Sequence, residues 1–251
     1  MPDAHSHHHQ TTAFVLAAGM GSRMRPLTDD KPKPMVPLAG RPLIDHVLDR
    51  LTAAGVTHAV VNVHYKADVL QGHLAGRTSP RITISDEREQ LLDTGGGVVK
   101  ARAAIGAAPF VIHNSDTVWL EQGVSNLERL FRAWDPQRMD SLLLLAERAR
   151  CIGYDGAGDF ELAADGRLAR RRQGQSVPHV FAGVSIAHPR MIDGAPQGAF
   201  SLNVLWDRAL AAGRLHGIVL DGLWMHVGTP QALDEAEELV ARHPVARHGG
   251  A

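Results

Sequence analysis

The sequence predicts an α/β fold built on a mostly parallel β-sheet, with a small antiparallel hairpin. Apolar runs of strand length alternate with amphipathic segments of helix length along most of the chain. Strands separated by helix-length segments indicate a mostly parallel sheet with right-handed crossovers. Between residues 153 and 172, glycines at 153, 156, 158 and 166 interrupt short alternating segments, which is typical of a hairpin.

Each expected element follows from a local signal. The run from Ala13 to Ala18 is apolar and ends at glycines, as does a buried strand that enters a tight loop. Pro42 suits the first turn of a helix, and Gly55 suits its end. By the same rules we expect strands at 58–63, 81–85, 110–113, 141–146 and 179–187, helices at 42–51, 67–74, 98–105, 124–134, 202–212 and 231–241, and a strand-like stretch between 213 and 227.

The composition excludes several classes of function. Lys and Arg total 26 and Asp and Glu total 27, so the chain lacks the excess positive charge of non-specific nucleic-acid binding. Its one cysteine cannot form an intrachain disulfide, and the sequence has neither a signal-peptide pattern nor an apolar run of membrane-spanning length. We therefore expect a cytoplasmic protein that binds neither nucleic acid nor membrane and meets anionic substrates with local charges.

The length of 251 residues suits one α/β domain. We expect this domain at 12–243, between a disordered histidine-rich tail at 1–11 and a second tail at 244–251. The sequence shows no internal repeat and no low-complexity linker that would mark a second domain.

A glycine loop after the first strand has the features of a triphosphate site. Gly19 and Gly21 let backbone N–H groups approach phosphate oxygens, and Arg23 and Lys33 can add charge-assisted hydrogen bonds. The spacing lacks the third glycine of a dinucleotide fingerprint and the Gly-Lys-Ser/Thr of a P-loop. Isolated lysines and arginines are usually solvated, but here four cations follow the loop within a dozen residues. We expect the loop to hold phosphate.

Three motifs extend this signal: RMRPLT at 23–28, PKP at 32–34 and TGGG at 94–97. With them, the chain from about residue 13 to residue 241 resembles the sugar nucleotidyltransferases, and within that family the short uridylyltransferases that act on N-acetylmuramate 1-phosphate. The resemblance implies a three-layer α/β/α, Rossmann-like nucleotidyltransferase fold with a mixed, mostly parallel sheet. It also implies transfer of UMP from UTP to a sugar 1-phosphate, with release of pyrophosphate, in peptidoglycan recycling.

The resemblance also assigns roles to individual residues. Arg23 matches the arginine that contacts the leaving pyrophosphate, and Lys33 matches the lysine on the α-phosphate. Asp116 resembles the aspartate that binds magnesium, and a carboxylate at the carboxyl end of a buried strand supplies the oxygen ligand that this ion prefers. A plain helix cap is the alternative role for Asp116. Further nucleotide contacts are expected from Leu16, Ala18, Gly19, Gly21, Ser22, Thr94, Gly95, Gly96 and Asn114.

One position departs from the family pattern. Family members carry aspartate in a Trp-x-Asp-x-Gly-Thr element, whereas this chain has histidine, His226, between Trp224 and Gly228. We expect His226 to be the second metal ligand, directly or through water, with Mg²⁺ as the cofactor. Imidazole binds Mn²⁺ better than Mg²⁺, so Mn²⁺ is the alternative ion. Asp221 is an alternative ligand, although in a regular strand its odd spacing from His226 points it to the opposite face.

The sugar site is expected at Gly183, which resembles the family's sugar-lining backbone, and at Asn203. No lysine matches the family lysine that holds the sugar phosphate. One of Arg170, Arg171 and Arg172 is the candidate for this role, and a solvated charge run is the alternative.

The expected reaction needs no general base, because a sugar phosphate oxygen is already ionised at neutral pH and can attack the α-phosphorus in line. Mannose-1-phosphate guanylyltransferase, glucose-1-phosphate thymidylyltransferase and phosphocholine cytidylyltransferase are the alternatives within this chemistry. A nucleotide-binding regulator without turnover is the alternative of another class, favoured by His226. A dinucleotide-dependent oxidoreductase is a third, with the wrong glycine spacing. Retention of Arg23, Lys33 and Asp116 favours the enzyme.

Overall fold

The structure is a computed structural model that describes residues 11–243. The tails expected at 1–11 and 244–251 lie outside the described residues, except for Thr11, which begins the first strand. No helix in this part of the chain is long and apolar enough to cross a bilayer.

Strands and helices alternate along the described chain. The strands are β1 (Thr11–Leu16), β2 (Pro37–Leu38), β3 (Arg41–Pro42), β4 (Val56–Val63), β5 (Arg81–Asp86), β6 (Phe110–Asn114), β7 (Thr117–Glu121), β8 (Ser141–Glu147), β9 (Phe160–Leu162), β10 (Leu168–Arg170), β11 (His179–Ala187), β12 (Leu215–Val219) and β13 (Gly222–His226). The α-helices are α1 (Leu43–Ala53), α2 (Ala67–Leu74), α3 (Asp93–Lys100), α4 (Arg102–Ile105), α5 (Asn126–Ala133), α6 (Asn203–Ala211) and α7 (Pro230–Arg242).

The central sheet has the main strand order β5-β4-β1-β6-β11-β8-β12, and the β9-β10 hairpin pairs with the first residue of β11, His179. β1 pairs in parallel with β4 and β6, β5 is parallel to β4, and β12 is parallel to β8. β11 runs in the opposite direction, because it pairs antiparallel with both β6 and β8. The expected mixed, mostly parallel sheet with a small antiparallel hairpin is confirmed.

Helices cover both faces of this sheet. Successive side chains of a buried strand point to opposite faces, so neighbouring residues of one strand pack against different helices. Val15 on β1 belongs to the core shared with α1, α2 and α5, whereas Phe14 belongs to the core shared with α3, α4 and α6. Both side chains are fully buried. α7 packs in a third core around Met24 and Leu43. The expected three-layer arrangement is therefore confirmed.

A second, two-stranded sheet of β7 and β13 was not expected. The two strands pair antiparallel, with His226 opposite Thr117. β7 follows β6 after a two-residue turn, so its local pattern is hard to separate from the apolar run before it. Gly222 permits the break between β12 and β13, since its φ is +129° and an added Cβ would lie 1.9 Å from the Leu120 carbonyl oxygen.

The glycine triplet was expected to precede a helix, but it lies inside α3, which begins at Asp93. Glycine is a weak helix former, so tertiary packing must explain the choice. An added Cβ would lie 2.4 Å from the Phe200 ring at Gly95 and 2.3 Å from the Gly198 carbonyl oxygen at Gly96. The first turn of α3 is therefore pressed against the segment 198–200, and only glycine fits this contact.

A buried aromatic stack underlies the end of β6. His113 is fully buried and stacks on Trp119, with ring centroids 5.7 Å apart. Nδ1 of His113 donates to the Asn114 carbonyl oxygen at 2.7 Å, since a carbonyl can only accept. Burial lowers the pKa of His113 from its ordinary value of 6.5 to about 3. The imidazole is therefore neutral in the folded protein at neutral pH.

This buried histidine predicts acid-sensitive folding. Between pH 6.5 and about 3 the unfolded chain binds a proton at His113 that the folded chain does not, so stability is lost as pH falls through this window. His113→Asn should be less stable than the wild type at about pH 8, because packing is lost. Between about pH 8 and about pH 5, however, its free energy of unfolding should fall by about 2 kcal/mol less than that of the wild type. Urea unfolding at the two pH values measures this difference. Trp119→Phe is the matched control, and its free energy of unfolding should fall between the two pH values by as much as that of the wild type. An equal fall in His113→Asn would contradict the prediction.

Candidate active site

Several of the predicted site residues lie at the edge of the sheet where the parallel strands end. Leu16, the last residue of β1, pairs with Asn114, the last residue of β6. The N–H of Ser115 continues this pairing by donating to the Leu16 carbonyl oxygen at 3.1 Å. Open α/β sheets bind ligands at such carboxyl ends. Asp116 follows immediately, so the structure places it at this edge.

The glycine loop after β1 is held in one shape by its own side chains. Gly21 has a φ of +62°, and an added Cβ would lie 3.1 Å from Cβ of Lys33 and 3.2 Å from Thr28. The hydroxyl of Thr28, which is fully buried, donates to the Gly21 carbonyl oxygen at 2.9 Å. Gly19 has open space around its Cβ position. Packing thus requires glycine at position 21, whereas at position 19 its bare backbone leaves room for a ligand.

Lys33 and Asp116 form an ion pair at the centre of this edge. Nζ of Lys33 lies 2.5 Å from Oδ2 of Asp116, and the two side chains are 12% and 21% exposed. Burial alone would raise the pKa of the Asp116 carboxyl, but Lys33, together with a smaller effect of His226, outweighs it and holds that pKa below its ordinary value. Asp116 is therefore a carboxylate at neutral pH, available to a cation.

His226 reaches the same point from β13. It pairs with Thr117, the neighbour of Asp116, and its ring stacks on Trp224 with centroids 5.6 Å apart. Burial lowers the pKa of His226; Asp116 opposes this effect, and Lys33 and Arg23 add to it. A neutral imidazole can bind a metal ion. The structure therefore brings Lys33, Asp116 and His226 together, and the charge of Arg23 also acts on His226.

Asp116 and His226 fit a divalent cation as part of a larger ligand set. Among residues 11–243 no group of three or more His, Cys, Asp or Glu side chains is arranged to hold a metal. Mg²⁺ is commonly held by one or two carboxylates together with substrate phosphates and water, which matches this donor set. Asp221 precedes the opposite end of β13, roughly 17 Å along the strand from His226. It is too remote to be the second ligand.

Residues 93–97, at the start of α3, are the candidate base loop, and some of their backbone groups have protein partners. The N–H groups of Gly95 and Gly96 donate to the Phe200 carbonyl oxygen at 2.8 and 3.1 Å, and Oγ1 of Thr94 accepts from the N–H of Leu202 at 2.8 Å. These two N–H groups are therefore not free for phosphate in this structure. The loop lies beside the carboxyl edge, where an added Cβ at Gly97 would lie 3.0 Å from Nδ2 of Asn62, near the end of β4.

Two functional candidates, Asn62 and Glu87, were missed by the sequence reasoning. Asn62 lies in β4 near its carboxyl end, and Glu87 directly follows β5. Both are buried, and Nδ2 of Asn62 donates to Oε1 of Glu87 at 2.8 Å. The signal that identified Asp116, a polar residue at the end of an apolar strand, is present at both positions and could have found them.

Gly183, one of the two predicted sugar-site residues, lies beside the turn that carries Asp116. It has a φ of +82°, occupies the irregular part of β11 between Phe181 and Ser185, and would place an added Cβ 2.1 Å from Oγ1 of Thr117. Gly183 therefore packs against Thr117, the residue that follows Asp116. Any side chain at position 183 would collide with this turn.

Asn203 and the arginine run lie on the hairpin side. Oδ1 of Asn203 accepts from Nη2 of Arg170 at 3.0 Å, and Nε of Arg170 lies 2.5 Å from Asp207. Arg171 donates to the carbonyl oxygens of Gly158 and Gln175. Arg170 and Arg171 are thus engaged within the protein, and Asn203 begins α6 next to the Thr94 end of α3.

Known proteins are similar to this chain in sequence and in fold. The profile of the nucleotidyl transferase family matches residues 12–148. N-acetylmuramate alpha-1-phosphate uridylyltransferase of Caulobacter vibrioides is 48% identical over 91% of this chain and 96% of its own length, and the protein of the same name from Neisseria meningitidis is 32% identical over 90% and 97%. The solved inositol-1-phosphate CTP transferase of T. maritima superposes with a TM-score of 0.75 at 18% identity, over 97% of this chain and 99% of that one. The chain therefore belongs to the nucleotidyl transferase family, as a member of its sugar-1-phosphate nucleotidyltransferases.

Proposed function

We propose that the protein transfers UMP from UTP to N-acetylmuramate 1-phosphate and releases pyrophosphate. The observation that carries the reaction is the convergence of Arg23, Lys33, Asp116 and His226 on the carboxyl edge of the sheet. Near full-length similarity to uridylyltransferases of that name supports the choice of substrates. We place this activity in the cytoplasm and in peptidoglycan recycling.

The geometry suggests how the chain would perform this step. The ionised phosphate oxygen of the sugar attacks the α-phosphorus of UTP, a new P–O bond forms, and the bond to pyrophosphate breaks on the opposite side. Lys33 can turn from Asp116 to the α-phosphate, and Arg23 can follow the charge that develops on pyrophosphate. Holding two anions in line accounts for much of the expected rate enhancement.

The nucleotide would lie between the two glycine-rich segments. Its phosphates are assigned to the glycine loop, and its base to the strand ends and the start of α3. The residues proposed for these contacts are Leu16, Ala18, Gly19, Gly21, Ser22, Thr94, Gly95, Gly96 and Asn114. Gly183 and Asn203 are proposed for the sugar.

The proposed cofactor is Mg²⁺, held by Asp116 and His226 together with phosphate oxygens. When bound, this ion would neutralise charge on the phosphates. Imidazole binds Mg²⁺ more weakly than a carboxylate does, and it binds Mn²⁺ better than it binds Mg²⁺. Mn²⁺ is therefore the alternative cofactor.

A substrate matrix tests the proposal. Pyrophosphate release is measured with UTP, GTP, CTP and dTTP against the 1-phosphates of N-acetylmuramate, mannose, glucose and N-acetylglucosamine, in Mg²⁺ and in Mn²⁺. The expected result is turnover with UTP and the muramate ester far above every other pair. A preference for GTP with mannose 1-phosphate, or for dTTP with glucose 1-phosphate, would overturn the substrate assignment and keep the reaction class.

A further inference from the structure

The buried pair of Asn62 and Glu87 joins the two loops assigned to the nucleotide. Asn62 is 2% exposed and Glu87 is fully buried. Oδ1 of Asn62 accepts from the N–H of Ala17 at 2.6 Å and from that of Ala18 at 3.2 Å. Since both partners of Oδ1 are donors and Nδ2 faces a carboxylate, the orientation of the amide is fixed by its surroundings.

Glu87 continues this connection to the base loop. Its Oε1 accepts from Asn62, and its Oε2 accepts from the N–H of Leu92 at 3.0 Å, immediately before α3. A continuous chain of hydrogen bonds therefore runs from the start of the glycine loop, through two side chains, to the base loop. Removing one partner of a buried network leaves a polar group unsatisfied, which is costly in a low-dielectric interior.

Gly97 packs directly on this pair. An added Cβ at Gly97 would lie 2.8 Å from Oε1 of Glu87 and 3.0 Å from Nδ2 of Asn62. Gly95 and Gly96 are explained by their contacts with the segment 198–200, whereas Gly97 is explained by the connection itself. The third glycine of the triplet allows α3 to approach the pair closely enough for the hydrogen bonds to form.

Residues 17–18, after β1, and residues 92–97, at the start of α3, are here called the two walls of the nucleobase site. We infer that Asn62 and Glu87 are positioning residues that fix the distance between these walls, and thereby set the affinity and base selectivity of the nucleotide site. The inference rests on the proposed function, which assigns both walls. Each side chain acts through the backbone of Ala17, Ala18 or Leu92. A positioning role predicts a change in the KM for UTP with little change in the KM for the sugar phosphate, whose proposed contacts lie on β11 and α6.

Asn62→Asp tests the connection at one atom. The new side chain still offers an acceptor to Ala17 and Ala18, but it places an oxygen where Nδ2 faced Oε1 of Glu87. The walls should separate, and the KM for UTP should rise at least about tenfold while the KM for the sugar phosphate stays within about twofold. Discrimination between UTP and CTP should fall in the same variant. Calorimetric titration with UTP measures the same loss of affinity without turnover.

A reciprocal exchange provides the decisive comparison. In the double variant Asn62→Asp with Glu87→Gln, the amide and the carboxylate trade places, so the hydrogen bond forms with its donor on the other side chain. The amide oxygen at position 87 still accepts from Leu92, so every contact is restored. The KM for UTP should return to within about threefold of the wild-type value, although each single variant is impaired.

Thr83→Val is the matched control, because Oγ1 of Thr83 hydrogen-bonds Nε2 of His58 at 2.9 Å between the same two strands, away from the carboxyl edge. It should lower the melting temperature and leave the KM for UTP within about twofold. If Asn62→Asp does not fold, Glu87→Gln alone carries the test. A KM and an affinity for UTP unchanged in the single variants, or a double variant as impaired as Asn62→Asp, would overturn the inference. A wild type that binds UTP without turnover would instead refute the proposed function, and calorimetry would still decide this inference.

Discussion

Replacing Lys33 by alanine should lower kcat by about 10²- to 10³-fold and leave the fold intact, because the lost ammonium is the charge best placed to stabilise the α-phosphate in the transition state. Lys33 sits on a short 3₁₀ helix beside the glycine loop and reaches the centre of the site, where its only partner among the described residues is Asp116. Because Asp116 is partly exposed, water can solvate it in the variant. Steady-state rates of pyrophosphate release, with circular dichroism to confirm folding, measure the effect.

Lys31→Ala is the control for this prediction. Lys31 lies two residues away and forms an exposed pair with Asp30 at 3.6 Å, so its loss should change kcat by no more than about twofold. A Lys33→Ala protein that turns over as fast as Lys31→Ala would show that the proposed role of Lys33 is wrong. A variant that is slow but unfolded would instead move the test to Lys33→Met, which keeps the length of the side chain.

Asp116→Asn should lower kcat by at least about 10²-fold and raise the Mg²⁺ concentration needed for half-maximal rate, since an amide oxygen is a weaker ligand than a carboxylate for a hard cation. The substitution is nearly isosteric, so the turn between β6 and β7 should persist. A metal titration of the initial rate measures both quantities. The variant also removes the negative partner of Lys33, which should lower the affinity of the site for free cations even without UTP.

Asp221→Asn provides the comparison for Asp116. This second acid lies beyond the far end of β13, where its backbone N–H donates to Oδ1 of Asn126. Its metal response should match that of the wild type. If Asp116→Asn and Asp221→Asn have the same metal dependence, Asp116 is not the metal ligand.

The sequence was sufficient to predict the sheet and its layers where periodicity and strand ends are clear. The strand at 179–187 and the helix at 67–74 occur with the predicted bounds, because each has a continuous apolar pattern between strong punctuation. Asp116 was found by the same logic, as a carboxylate after a buried strand. The convergence of Arg23, Lys33 and His226 followed from the motifs, since each belongs to a segment that the family resemblance covers.

Contacts between distant segments could not be predicted from local patterns. β7 pairs with β13 across about a hundred residues, and nothing in the run at 117–121 points to that partner. The glycines at 95–97 were interpreted as a loop because their packing partners, Phe200 and Glu87, lie elsewhere in the chain. The role of Asn62 was missed for the same reason, because its partners at 17, 18 and 87 come together only in the folded sheet.

The most direct test of the proposed transfer is to incubate the protein with UTP, N-acetylmuramate 1-phosphate and Mg²⁺ and to quantify the sugar nucleotide and pyrophosphate in the same sample. Both products should form in equal amounts, and neither should form when the sugar phosphate is omitted. Pyrophosphate without sugar nucleotide would mean that water, not a sugar phosphate, is the acceptor. Absence of both products from every nucleotide and sugar pair, in a protein that still binds UTP, would contradict the enzyme and identify a nucleotide-binding regulator.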